Sequence, residues 1–147
     1  MDQRLETFLT VCATMNYRKA AEQGEEDAQC CLGYCTEKGI GTEADPAAAA
    51  EWYRRSAEGG YSRGMYNYAC CFENGTGVKK DLPLAQQWYE RAAKEGLPDA
   101  MYELGVWYED GRCGPKDAAQ ALAWYKKAAE AGHDRARKAV ERMEKLV

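Results

Sequence analysis

The sequence contains one histidine, His133, among 147 residues. It directly follows Gly132, a residue suited to ending a helix, so it reads as a loop or capping group and not as a catalytic base. No apolar run approaches the roughly 20 residues that a membrane-spanning helix requires. The first 24 residues are broken up by charges and lack the continuous apolar centre of an export signal. There is no excess of positive charge: the formal net charge is −4, which argues against a nucleic-acid partner and supplies no field for a membrane surface. No glycine-rich stretch ends in G-K-[ST], so phosphate cradles are excluded. No C-x-x-C spacing occurs among the seven cysteines. Neighbouring cysteines on a helix point about 100° apart, which does not make a tetrahedral zinc site. No metal and no cofactor are therefore expected. An odd number of cysteines cannot pair completely within the chain, and reduced thiols in a cytoplasm are expected. A secreted or periplasmic setting follows only if a leader has been removed.

What is present is a repeat. Gly24, Gly60, Gly96 and Gly132 stand 36 residues apart, and the phrases before them correspond without a gap: AEWYRRSAEGG, QQWYERAAKEG and LAWYKKAAEAG. Each copy contains two helical phrases. The first, helix A, covers Asp27–Gly39, Arg63–Gly75 and Asp99–Gly111. The second, helix B, covers Pro46–Gly60, Leu82–Gly96 and Ala118–Gly132. Asp45, Asp81 and Asp117 precede the helices B and can accept hydrogen bonds from the first-turn N–H groups. Gly60, Gly96 and Gly132 suit left-handed closing positions. The A-to-B loop is G-x-G at Gly39/Gly41 and Gly75/Gly77. Cys113 and Gly114 replace that pattern in the third copy, so its loop should differ.

On helix B, Ala49, Trp52, Tyr53 and Ser56 fall at i, i+3, i+4 and i+7, one helical face, and both later copies repeat the arrangement. Helix A offers Leu32/Gly33, Tyr68/Ala69 and Leu104/Gly105 opposite it. Small residues allow close approach, and the adjacent rings should fill two neighbouring interfaces. Trp88→Ala is accordingly expected to cost about 3–5 kcal/mol.

These residues resemble Sel-1-like repeats, relatives of the tetratricopeptide repeat, whose phrase runs A-x-x-x-L-G, then G-x-G-V, then D, then A-x-x-W-Y-x-x-A-A-x-x-G. Ala100 to Gly105, Gly75 to Val78, and Ala49 through Gly60 match parts of it. The resemblance implies an all-α fold: a right-handed α-solenoid of stacked antiparallel helix pairs with about eight helices. Its expected parts are a leading B-type helix (1–24), repeats at 25–60, 61–96 and 97–132, and a capping helix (133–147), together one domain. In the cap, Glu141 stands where the close-contact glycine belongs.

By analogy with tetratricopeptide arrays, helix A lines the concave face. The expected partner-binding residues are Tyr34, Tyr66, Tyr102, Cys70 and Val106, edged by Glu37, Glu73 and Glu109. Exposed tyrosines on a rigid surface suit capture of a protein or peptide, and the glutamates favour a basic one. The competing reading is that the tyrosines pack between repeats and the glutamates are merely solvated. The resemblance implies a non-catalytic scaffold or adaptor. A second reading is a secreted, disulfide-stabilised hydrolase or penicillin-binding protein, because a cysteine-rich branch of the family links helix A to helix B. Here the helix-B positions available for such a bridge are Ala57, Ala93 and Ala129, and no S-x-x-K motif is present. A third reading is structural, in which an edge of the array forms a homodimer.

Overall fold

The structure is a computed structural model that describes residues 3–145, apart from the Phe8 side chain. Every regular element among the described residues is a helix, and there are eight of them. They form two compact units, Met1–Asp81 and Leu82–Val147. The first holds α1 (Gln3–Glu22), α2 (Glu26–Lys38), α3 (Pro46–Glu58) and α4 (Ser62–Asn74). The second holds α5 (Leu82–Lys94), α6 (Pro98–Asp110), α7 (Ala118–Glu130) and α8 (Asp134–Glu144). Within each unit every helix packs on the next one in sequence, and α2 also meets α4. None of the helices is long and apolar enough to cross a membrane.

Six consecutive helices, α2 to α7, are each 13 residues long because their stop signals recur in phase. At the ends of α2, α4 and α6, Gly39, Gly75 and Gly111 take φ near +70°, a conformation that costs other residues energy. The next N–H in each case bonds back to the helix: Ile40 to Cys35 O at 2.8 Å, Thr76 to Cys71 O at 2.9 Å, and Arg112 to Trp107 O at 3.1 Å. Gly24, Gly60, Gly96 and Gly132 do the same for the B-type helices, with φ between 92° and 97°. Asp45 and Asp117 accept from the backbone N–H of Ala48 (3.1 Å) and Gln120 (3.0 Å), as the sequence predicts. His133 is likewise a cap: its Nδ1 accepts from the Ala136 N–H at 3.1 Å, opening α8. The third A-to-B loop differs locally, with Gly114 at φ +135°, yet it ends on the same anchor. Asp117 N–H reaches Tyr108 O at 2.9 Å, as Asp45 reaches Thr36 O and Asp81 reaches Phe72 O.

The core follows the small-residue pattern, with one correction to the paired rings. Tyr53, Tyr89 and Tyr125 are buried to 1% exposure, whereas Trp52, Trp88 and Trp124 are only half-buried. Each indole instead lies under the cation three residues on: Arg55 at 4.9 Å, Arg91 at 4.4 Å and Lys127 at 4.6 Å from the ring centroids. The tyrosine position looks straight at helix A, and the tryptophan, turned about 100° away, lies at the rim. In the first and third repeats helix A meets the tyrosine with no side chain at all. A Cβ on Gly33 would stand 2.7 Å from Tyr53 Cε1, and one on Gly105 would stand 2.5 Å from Tyr125 Cδ1. Real Cβ contacts essentially never come that close, so glycine is required at both places by space and not by φ.

Candidate partner-binding groove

The first unit carries an open groove of about 410 Å³, lined by Tyr17, Cys30, Cys31, Tyr34, Cys35, Tyr61, Arg63 and Asn67. Three elements build it. Gly24 stops α1 just after Tyr17 and turns the chain into α2, which supplies Tyr34 and the three thiols. Tyr61 precedes α4, whose first turns add Arg63 and Asn67. The three tyrosines keep substantial exposure: 39% for Tyr17, 50% for Tyr34 and 38% for Tyr61. Asn67 Nδ2 donates to Cys30 Sγ at 3.3 Å, closing the floor between α2 and α4. Arg63 lies over the Tyr66 ring at 5.2 Å.

Two of the groove thiols, Cys30 and Cys31, are pushed above the ordinary thiol range. Burial, with the neighbouring Cys31, pushes Cys30 up to about 11. Cys71, buried behind it and near Glu37, is raised to about 12. Cys31, more exposed, is also raised, by partial burial and by Asp27. Thiols held neutral in this way are poor nucleophiles and poor metal ligands. All seven cysteines carry free thiols in the structure.

The residues expected from sequence are distributed unevenly. Tyr34 lines the groove, and Tyr66 lies half-buried beneath Arg63. Cys70 and Glu73 are half-buried, and Glu37 is paired with Lys38 at 3.4 Å. In the second unit the corresponding positions are engaged by the unit's own residues. Tyr102 stacks on His133 (4.8 Å, 17°) and tilts against Tyr125 (5.6 Å). Val106 packs into the cluster built by α7 and α8. Glu109 accepts from Tyr125 Oη at 3.0 Å and pairs with Arg142 at 2.9 Å, and the guanidinium holds its carboxyl below the usual range. Tyr17, Tyr61, Arg63 and Asn67 were not anticipated. The available signal was that Tyr17 keeps the register of Tyr53 on the leading B-type helix.

The Sel1 repeat profile matches residues 13–25, 26–61, 62–97 and 98–133. The chain belongs to the Sel1 repeat family. Its repeats are helix pairs of the α-solenoid class, and proteins of this family are generally non-catalytic scaffolds for protein–protein interaction. Among solved structures, a protective antigen of uropathogenic Escherichia coli described as displaying an SLR fold shares 34% identity over 90% of this chain, with a TM-score of 0.82. This chain spans only 28% of that protein. A Sel1 repeat protein from Oxalobacter formigenes shares 38% identity, with 87% of this chain and 96% of that one covered and a TM-score of 0.77. Cysteine-rich protein B of Helicobacter pylori shares 27% identity, with 86% and 91% covered and a TM-score of 0.69. A comparison with curated proteins gives no match.

Proposed function

We propose that this Sel1 repeat chain is a non-catalytic adaptor and that the groove of its first unit receives a segment of a partner protein. The observation that carries this reading is the contrast between two sets of tyrosines. Tyr53, Tyr89 and Tyr125 are consumed by the core, while Tyr17, Tyr34 and Tyr61 stand part-exposed around one concavity beside Arg63 and Asn67. Aromatic side chains present large contact area at small conformational cost, and the amide and guanidinium give direction to it. Burial holds the Cys30 and Cys31 thiols above the ordinary range, which supports binding over covalent chemistry.

The test is affinity capture of a partner, followed by measurement of its affinity for a Tyr34→Ala/Tyr61→Ala variant whose far-UV circular dichroism and melting match the parent. Both side chains are well exposed, so the fold should tolerate their loss. A fall in affinity of at least about tenfold is expected, as removing two central aromatic contacts would produce. Unchanged affinity refutes the placement.

A further inference from the structure

The third A-to-B loop encloses a cavity that the other two repeats do not have room for. In those repeats the loop rests directly on the helix before it. A Cβ on Gly41 would run into Thr14 Oγ1, and one on Gly77 would run into Pro46 O. In the second repeat the next residue fills the space beneath: Val78 packs against Ala49, Ala50, Tyr53 and Cys71. In the third repeat four of these positions change together. A shift of 36 residues places Gln86 on Ala50, Trp107 on Cys71, Cys113 on Gly77 and Gly114 on Val78. A side chain at Cys113 forbids the close approach that the glycines make. Gly114 supplies no side chain to replace the valine, and a Cβ built on it would meet nothing within 4 Å. The result is a cavity of about 150 Å³, lined among others by Gln86, Trp107, Tyr108, Cys113, Lys116 and Asp117. It lies within the second unit, with helices before and after it.

We propose that this cavity binds a small single-ring carboxylate, a function separate from the capture of a protein segment in the first unit. The size fits, since a cavity of about 150 Å³ holds one benzene ring. The walls fit as well. Trp107, 2% exposed and set edge-on to Tyr89 at 5.7 Å, and half-buried Tyr108 give aromatic surface for a ring. The Trp107 Nε1–H is buried with no acceptor among the described residues, and a buried donor of this kind calls for one. Lys116 adds an ammonium and half-buried Gln86 an amide, both donors suited to a carboxylate. The Lys116 stem lies across Gly111, where a Cβ would stand 2.9 Å from its Cγ. Asp117, the acid among the lining residues, is already engaged: its Oδ1 accepts from the Gln120 N–H at 3.0 Å, at the positive end of α7. A plain hydrocarbon ring would fill the space and give these donors no acceptor.

The experiment titrates sodium benzoate into the full chain and follows the assigned indole N–H resonances by NMR. The Trp107 resonance should shift saturably, while acetate, which lacks the ring, should leave it in place. In the same unaltered protein, benzoate should slow the modification of Cys113 by N-ethylmaleimide, read by mass spectrometry of its peptide. Lys116 is exposed, so Lys116→Ala should melt like the parent. That variant should bind benzoate at least about tenfold more weakly, the scale of one charge-assisted hydrogen bond. The parent should bind the uncharged benzamide with a similar deficit. The Tyr34→Ala/Tyr61→Ala variant should bind benzoate unchanged. The absence of a saturable shift, an equal response to acetate, an unprotected Cys113, or benzoate held as tightly after Lys116→Ala overturns the proposal. So does benzoate binding that is lost with Tyr34 and Tyr61, because the ligand would then sit in the groove of the first unit.

Discussion

Replacing Gly105 by alanine is the sharpest test of how the helix pairs are joined, because local and tertiary physics give opposite signs. At an uncrowded site in the middle of a helix, glycine to alanine stabilises by about 1 kcal/mol through backbone entropy. At Gly105 the new methyl would sit 2.5 Å from both Cδ1 and Cε1 of Tyr125 and 3.0 Å from Cζ. Ordinary carbon–carbon contact begins near 3.5 Å, so the ring must retreat by about 1 Å. It has nowhere easy to go, since Tyr125 is 1% exposed and its hydroxyl is tied to Glu109 at 3.0 Å. Overpacking of this kind costs about 1–3 kcal/mol, and loosening the hydroxyl bond costs about 1 more. After the propensity gain, a net loss of about 1–2 kcal/mol is expected. Urea titration followed by far-UV circular dichroism measures it. In a Tyr125→Leu background the same change should be neutral or favourable, giving a coupling of about 2 kcal/mol. A stabilised Gly105→Ala single variant would refute the close-packing argument.

Three further outcomes follow from the same geometry. Trp124→Ala should cost clearly less than Tyr125→Ala, about 1–2 against 3–5 kcal/mol, because the indole is half-buried and its cation contact is worth only about 0.5–1 kcal/mol; equal losses in urea titrations would contradict the assignment. Glu109 has its carboxyl pKa depressed by Arg142, so its contribution is present above the unfolded value near 4.3 and disappears as pH falls through the lower folded value. Wild type and Arg142→Gln should thus differ by less than about 1 kcal/mol at neutral pH, since both side chains are partly exposed, and should converge in acid; a difference that grows on acidification counts against the pairing. Finally, an aromatic disulfide reagent should label exposed Cys31 first and buried Cys30 and Cys71 only on unfolding, and all seven thiols should titrate in denaturant; a smaller total would reveal disulfides.

The repeat length, helix limits and caps were legible because each rests on a local rule: aspartate before a helix, glycine after it, and small residues at helical spacing. The ring pair was only half legible. Spacing placed Trp88 and Tyr89 near one face, but their division between rim and core depends on where α6 sits. The cation three residues beyond each tryptophan was the overlooked clue. The groove was less legible still. Tyr34, expected from sequence, lines the groove, whereas Tyr17 was hidden by its own regularity: the residue type that fills the core of the repeats is 39% exposed on α1. Tyr102 and Glu109 show the converse, since the expected stripe is occupied there by His133 and Arg142, which come from a helix that departs from the repeat.

The equal length of α2 to α7 bears on how such a chain can change over generations. A genetic duplication or excision of 36 codons, wherever its endpoints fall, returns the backbone to the same rotational phase with every aspartate and glycine still in place. Recombination between copies can thereby lengthen or shorten the protein in whole units without passing through an unfoldable intermediate, while losses of any other size would turn the tyrosines away from the glycines that receive them.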